Sequence, residues 1–285
     1  MMAGETPIPR PLPKAPAYWT AAVRIFDLSV GEMLWSRRTI FMGLVVGAPV
    51  VISVFLRLLD AIGAPVFRAN GVALSGSAVF GSFIWFFYLR FIVPVLGVFY
   101  GTSLIADEVE DKTITYLFTR PIRKGAVLVG KFLAYLACTI FVVLPSVVII
   151  YVCLVPVRGS LGASFPDLLK DLGLLTIGLA VYGAVFAFVG ARLKRPLLVG
   201  LIFVFGWEQA AMLIPGYLRH FTIAYYLQSL VPHAMPAEGL VSLLQSVFVD
   251  NPSLGASLFW LTVILLGFLW AAAVSVERKE YVLEQ

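Results

Sequence analysis

Charge is what this chain has least of. Asp, Glu, Lys and Arg make up 13% of its 285 residues, against 60% hydrophobic residues and a mean hydropathy of +0.95. Soluble domains carry about a quarter of their residues charged, so a soluble fold is excluded and the chain reads as an integral membrane protein. Ten-residue segments of alternating polarity are missing too, which argues against a membrane β-barrel. Instead, runs of about 18 or more apolar residues recur. Lipid offers no partner for backbone N–H and C=O groups, so each run has to be a complete helix. The expected fold class is all-α and polytopic.

Cysteine and histidine are equally scarce. Cys138 and Cys153 fall in one apolar run, where a straight helix holds them roughly 22 Å apart, beyond disulfide reach. They read as core packing. His220 and His233, with Met212 and Met235 nearby, match no metal-ligand spacing, and no metal site is expected. No Ser-His-Asp or membrane-protease pattern is present and the few acids do not pair as catalytic carboxylates, so the chain is not expected to be catalytic by itself. No period of roughly 20 to 50 residues relates its parts, and no nucleic-acid partner is expected. The opening residues lack a short basic stretch followed closely by an apolar core and a small-residue cleavage site, which argues against a cleaved signal peptide.

What remains divides simply. Residues 1–38 begin with Pro7, Pro9, Pro11, Pro13 and Pro16, a stiff extended tail expected to be disordered. Trp19, Val23, Phe26, Val30, Met33 and Leu34 then recur at helical spacing among Arg24, Asp27 and Glu32, predicting an amphipathic helix in the headgroup plane. Residues 39–276 hold six predicted spans, at about 39–58, 79–106, 126–155, 172–191, 197–217 and 254–276, with a kink near Pro94. The connector 218–253 contains Leu240, Val241, Leu244, Val247 and Phe248 on one face of a predicted helix. A short tail, 277–285, follows. With both termini cytoplasmic, fifteen Lys and Arg lie on the inner side against five on the outer, which orients the chain in the inner cell membrane by the positive-inside rule.

Two charges interrupt the spans. Helical rise puts Arg90 about 15 Å down from the outer end of span two and Glu208 about 16 Å up from the inner end of span five. A charge at that depth costs about 2.5–3.5 kcal/mol even on lenient insertion scales, so each needs a partner or water. Three arrangements are open: a pair joining the spans, a shared polar cavity, or a purely structural link. A third feature, Gly125 to Lys131 (GAVLVGK), has the spacing of a phosphate-binding loop. Phe132 stands where Ser or Thr would hold magnesium, and the stretch opens a membrane helix, so no nucleotide site is expected here. Lys131 is expected to snorkel to the inner interface.

The most charged segment lies between spans two and three. Asp107, Glu108, Glu110 and Asp111 precede Thr113, Ile114, Leu117 and Phe118, then Pro121 and Arg123. Acids ahead of a short helix and bases after it complement the helix dipole, Thr113 can cap it and Pro121 ends it. Ile114, Leu117 and Phe118 form an apolar face that calls for burial against a partner or the lipid interface. The stretch IADEVEDKTITYLFTRPIRKGAVLVGKF resembles the first cytoplasmic loop of type-2 ATP-binding-cassette (ABC) permeases at Glu108, Thr113, Leu117, Pro121, Arg123, Gly130 and Lys131. Lys112 departs from it where Gly is common. The six spans, the N-terminal helix and the structured connector before span six extend the likeness along the chain.

The resemblance implies that this loop is a coupling helix docked on a separate ATPase subunit, with Glu108, Thr113 and Leu117 in the contact. It also implies that ATP and magnesium belong to that subunit, leaving no cofactor in this chain. It further implies that spans two and five line the transport path, and that a second permease copy, identical or not, completes the unit. The expected function is the permease subunit of an ABC transporter, an exporter. The alternatives are a membrane-embedded lipid-modifying enzyme using Arg90 and Glu208, or an ATP-independent scaffold.

Overall fold

The computed structural model describes residues 18–35, 37–64, 66–69, 72–110, 124–213, 217–232 and 252–278. Apart from a two-stranded antiparallel hairpin pairing Arg68 with Ala73 and Ala69 with Val72, the regular structure described is helical. Five helices are long and apolar enough to cross a membrane. These spans run Thr39–Ala61, Gly76–Ala106, Gly125–Leu154, Leu161–Arg192 and Leu254–Arg278, and are called here spans one, two, three, four and six. Beside them lies the shorter apolar helix Pro196–Ala211, called here span five; the helix continues to Leu213, and the described chain resumes at residue 217.

Span four departs most from the sequence reading. The helix begins at Leu161, with Pro166 inside it, and not near residue 172. Its first turns carry Asp167 and Lys170, which pair on an exposed face at 2.9 Å, while Leu168 on the opposite side is buried. Charges three residues apart on one face of an amphipathic helix resemble a polar connector when only composition is read. The helix is about 48 Å long, more than the bilayer core, so part of it projects beyond the apolar layer.

Span four is also the most enclosed of the five, and small residues let its neighbours approach it. A Cβ on Gly190 would lie 2.3 Å from the Thr102 carbonyl oxygen, and one on Gly97 2.6 Å from the Tyr182 Cβ. Both mark places where spans two and four touch nearly backbone to backbone, the usual use of small residues between membrane helices. Tyr135 of span three, fully buried, donates its hydroxyl to the Leu179 carbonyl at 2.9 Å. Tyr88 and Ser146 join spans two and three at 2.7 Å. Removing one such buried hydroxyl, as in Tyr135→Phe, should cost about 0.5–1.5 kcal/mol, read as a lower melting temperature of the purified protein.

The first helix, Tyr18–Leu34, packs on the start of span three. Ala21, Ala22 and Ala126 are buried there, and a Cβ on Gly130 would sit 2.6 Å from the Ala22 carbonyl oxygen. The GAVLVGK stretch is thus continuous helix within Lys124–Leu154, and its glycines serve helix packing. Cys138 and Cys153 are both free thiols on that same helix.

Candidate functional site

Pro94 shapes the middle of span two. Proline supplies no N–H and its ring crowds the carbonyl four residues back, which loosens the hydrogen-bond ladder of the turn before it. The chain widens into π turns at Ile84–Ile92 and Gly97–Gly101, separated by the short α segment Val93–Leu96. Span five does the same at Phe203–Glu208. π turns inside α-helices gather at functional positions because the extra residue redirects the side chains that follow. Here they carry both intramembrane charges, Arg90 and Glu208.

The structure gives these two residues different partners. Arg90 Nη2 donates to Gln209 Oε1 at 2.6 Å, and its guanidinium carbon lies 5.0 Å from the Trp85 ring centroid. Glu208, only 2% exposed, accepts from the Tyr182 hydroxyl at 2.5 Å and from the Ile223 backbone N–H at 3.2 Å. Spans two and five are linked through Arg90 and Gln209, and spans four and five through Tyr182 and Glu208.

The Ile223 contact has a structural consequence. Beyond Leu213 the described chain resumes in a 3₁₀ turn, Tyr217–Phe221, and a short helix, Ile223–Gln228, capped by Thr222. That helix is buried at Ile223, Tyr225, Tyr226 and Leu227, so the chain turns back into the bundle after span five. The Glu208 carboxylate binds its first N–H, and Ser229 and Ser257 meet at 2.7 Å to join its far end to span six. Glu208 therefore fastens a re-entrant segment to the wall of the bundle.

Arg90 and Gln209 face a groove of about 740 Å³ between spans one and two. Phe41, Leu44 and Pro49 form one side of it, and Phe86, Phe87 and Phe91 the other. Arg90 and Gln209 are its polar lining, and Glu208 does not take part.

The other expected site residues divide at Glu110. Asp107, Glu108 and Glu110 lie on the helix Thr102–Glu110 that continues span two. Asp111, Thr113, Ile114, Leu117, Phe118, Pro121 and Arg123 lie outside the described residues, as do His233, Met235 and the expected helix at 240–248. The His220 ring packs tilted against Tyr225 at 4.8 Å between ring centroids, and its Nδ1 lies 3.2 Å from the Tyr217 carbonyl oxygen. Among the described residues no group of three His, Cys, Asp or Glu side chains could hold a metal.

A comparison with protein-family models matches residues 20–280 to the ABC-2 family transporter protein. The chain belongs to the ABC-2 transporter family. No curated protein matches it significantly. As an ABC-2 family member with five long apolar helices, the chain is an integral membrane protein and the permease component of a transporter. Membership implies association with an ABC ATPase subunit and a transport role in which the membrane component is not itself the catalyst.

Two residues of this arrangement escaped sequence reading. Gln209 was legible in principle, as an amide beside Glu208 in an apolar run. Tyr182 carried no signal, since tyrosine in a charge-free span reads equally well as core.

Proposed function

We propose that this ABC-2 permease is the membrane subunit of an exporter in the inner cell membrane, with both termini cytoplasmic. Two copies, identical or paralogous, would work with two separate ATPase subunits that bind ATP and magnesium. Pro196–Ala211 together with the re-entrant segment after it would complete a sixth crossing. The first helix, Tyr18–Leu34, would lie in the inner headgroup layer, with Trp19 and Leu28 exposed on its free side. The positive-inside count supports this orientation.

The observation that carries the reading is the Arg90–Gln209 link at an apolar groove, joining the π-wound segment of span two to the residue just after the π turn of span five. A wound turn with a polar contact across it has more than one packing arrangement within reach, which is what alternating access by rocking spans requires. Arg90 would line the path, while Glu208 would hold the path's outer wall. Energy would enter through the loop from Asp107 to Pro121, with Glu108, Thr113 and Leu117 in the ATPase contact and Ile114, Leu117 and Phe118 as the docking face. Asp107, Glu110, Asp111 and Arg123 would frame that contact.

Co-expression of the tagged permease with the ATPase subunit encoded nearest to it should recover both in one complex. Deleting Ile114 to Phe118 should abolish co-purification and ATP-driven uptake into inside-out vesicles, while leaving the monodispersity of the permease unchanged. A deletion variant that still transports at the full rate would overturn the coupling assignment.

A further inference from the structure

We propose that the groove between spans one and two binds an anionic amphiphile, a molecule with a compact carboxylate or phosphate head and a hydrocarbon body, and that Arg90 takes its head group. The proposal rests on the transporter reading above and names the chemistry of what its path accepts.

The groove's volume, about 740 Å³, lies within the range of small-molecule sites, and its walls are aromatic and aliphatic apart from Arg90 and Gln209. An apolar body fits those walls. The head group follows from the charge. A guanidinium has five N–H donors and keeps its charge at any ordinary pH. Gln209 Oε1 takes one of those donors and the Trp85 ring approaches the guanidinium at 5.0 Å. Neither neutralises it.

Among the described residues no carboxylate pairs with Arg90. Among the described residues the acids buried within spans are Glu208, engaged by Tyr182 and Ile223, and Asp171 of span four, fully enclosed in the bundle; neither lines the groove. Arg90 is half-buried near the middle of its span, so its charge sits in apolar surroundings with a neutral amide as its hydrogen-bond partner. The complement is an anion, and a carboxylate or phosphate matches the planar fork of donors. A neutral lipid would leave the charge uncompensated, and a cationic amphiphile would be repelled.

A second copy of the chain is the other candidate occupant. It has apolar faces to offer, and among the described residues the acids buried within its spans, Asp171 and Glu208, are enclosed in its own bundle at 0% and 2% exposure. Span one carries its acid, Asp60, at the far end, in contact with Arg57 at 3.3 Å.

The test uses purified full-length permease in phosphatidylcholine nanodiscs, without the ATPase subunit. Four photoreactive probes share one alkyl chain with a terminal diazirine and differ in head group: carboxylate, monophosphate, alcohol and ammonium. The acid or the phosphate should label the peptide containing Phe86 to Phe91 with half-saturation at least about tenfold lower than the alcohol, and the amine should not compete. Whichever of the two labels at lower concentration identifies the head group.

Arg90→Gln should bring the anionic probes to the level of the alcohol, and Arg90→Lys should be intermediate. Ala48→Trp, which fills the groove and leaves Arg90 in place, should block all four probes if Arg90→Gln proves poorly folded. Equal labelling by acid and alcohol, or unchanged labelling in a well-folded Arg90→Gln variant, would sink the proposal. So would a disulfide between copies at Leu44→Cys, in a chain with Cys138 and Cys153 replaced by Ser, that excludes the probes. Because no ATPase takes part, a failure here leaves the co-purification result intact.

Discussion

Glu208→Ala is expected to lower the stability of the purified permease by about 2–5 kcal/mol. The carboxylate is the acceptor for two buried donors, the Tyr182 hydroxyl and the Ile223 N–H, and each donor orphaned in an apolar interior costs about 1–3 kcal/mol. Tyr182→Phe removes one partner and leaves the other in place, so it should cost less. The double variant should be milder than the sum, because without the hydroxyl one of the two orphans no longer exists. Glu208→Gln keeps an acceptor and should fall nearest to the parent. The change is local as well as global: hydrogen exchange and protease cleavage between Tyr217 and Gln228 should rise first, since that segment loses its anchor. A Glu208→Ala protein with the parent's melting temperature and unchanged protection over those residues would show that the carboxylate does not fasten the re-entrant helix.

A second large effect is expected at Gly190. An added methyl would meet the Thr102 carbonyl oxygen at 2.3 Å and the Thr102 Cα at 3.0 Å. Those are backbone atoms of a neighbouring span, so no side chain can swing aside and the helices must separate. Gly190→Ala should destabilise by about 1–3 kcal/mol and Gly190→Val by more. Gly43 and Gly267 provide the contrast: each is on a span with nothing within 4 Å of an added Cβ. Alanine there should be neutral or stabilising by up to about 1 kcal/mol, since it is the better helix former. Thermal unfolding of the three variants in one detergent separates the two cases. If Gly190→Ala matched Gly43→Ala, spans two and four would not be in backbone contact.

Much of this molecule could be read before folding it. Hydrophobic runs separated by charge clusters specify helices in lipid because backbone polar groups have no other partner there, and the observed helices at Thr39–Ala61, Gly125–Leu154 and Leu254–Arg278 start close to where composition changes. Reading failed where composition and geometry part company. Asp167 and Lys170 made a polar connector of what is the N-terminal end of a long helix, because a salt-bridged face and a loop look alike in one dimension. Nor did composition show that the chain beyond residue 216 packs back into the bundle at Ile223.

The site shows the same division. Arg90 and Glu208 were conspicuous because charge in an apolar run is costly wherever it lands. Their depth followed from helical rise, and so did the demand that each find a partner. Which partners they found did not. The π turns around Pro94 and Gly206 set the side-chain directions, and those turns depend on neighbours that crowd or free the backbone. By sequence alone the chain was a helical membrane protein with two charges that had to be answered. Only tertiary packing answered them, giving Glu208 to Tyr182 and the re-entrant helix, and leaving Arg90 with Gln209 at the edge of an apolar groove. Spacing along one helix limits how deep a group lies, whereas its partner is chosen by contacts between helices far apart in the chain.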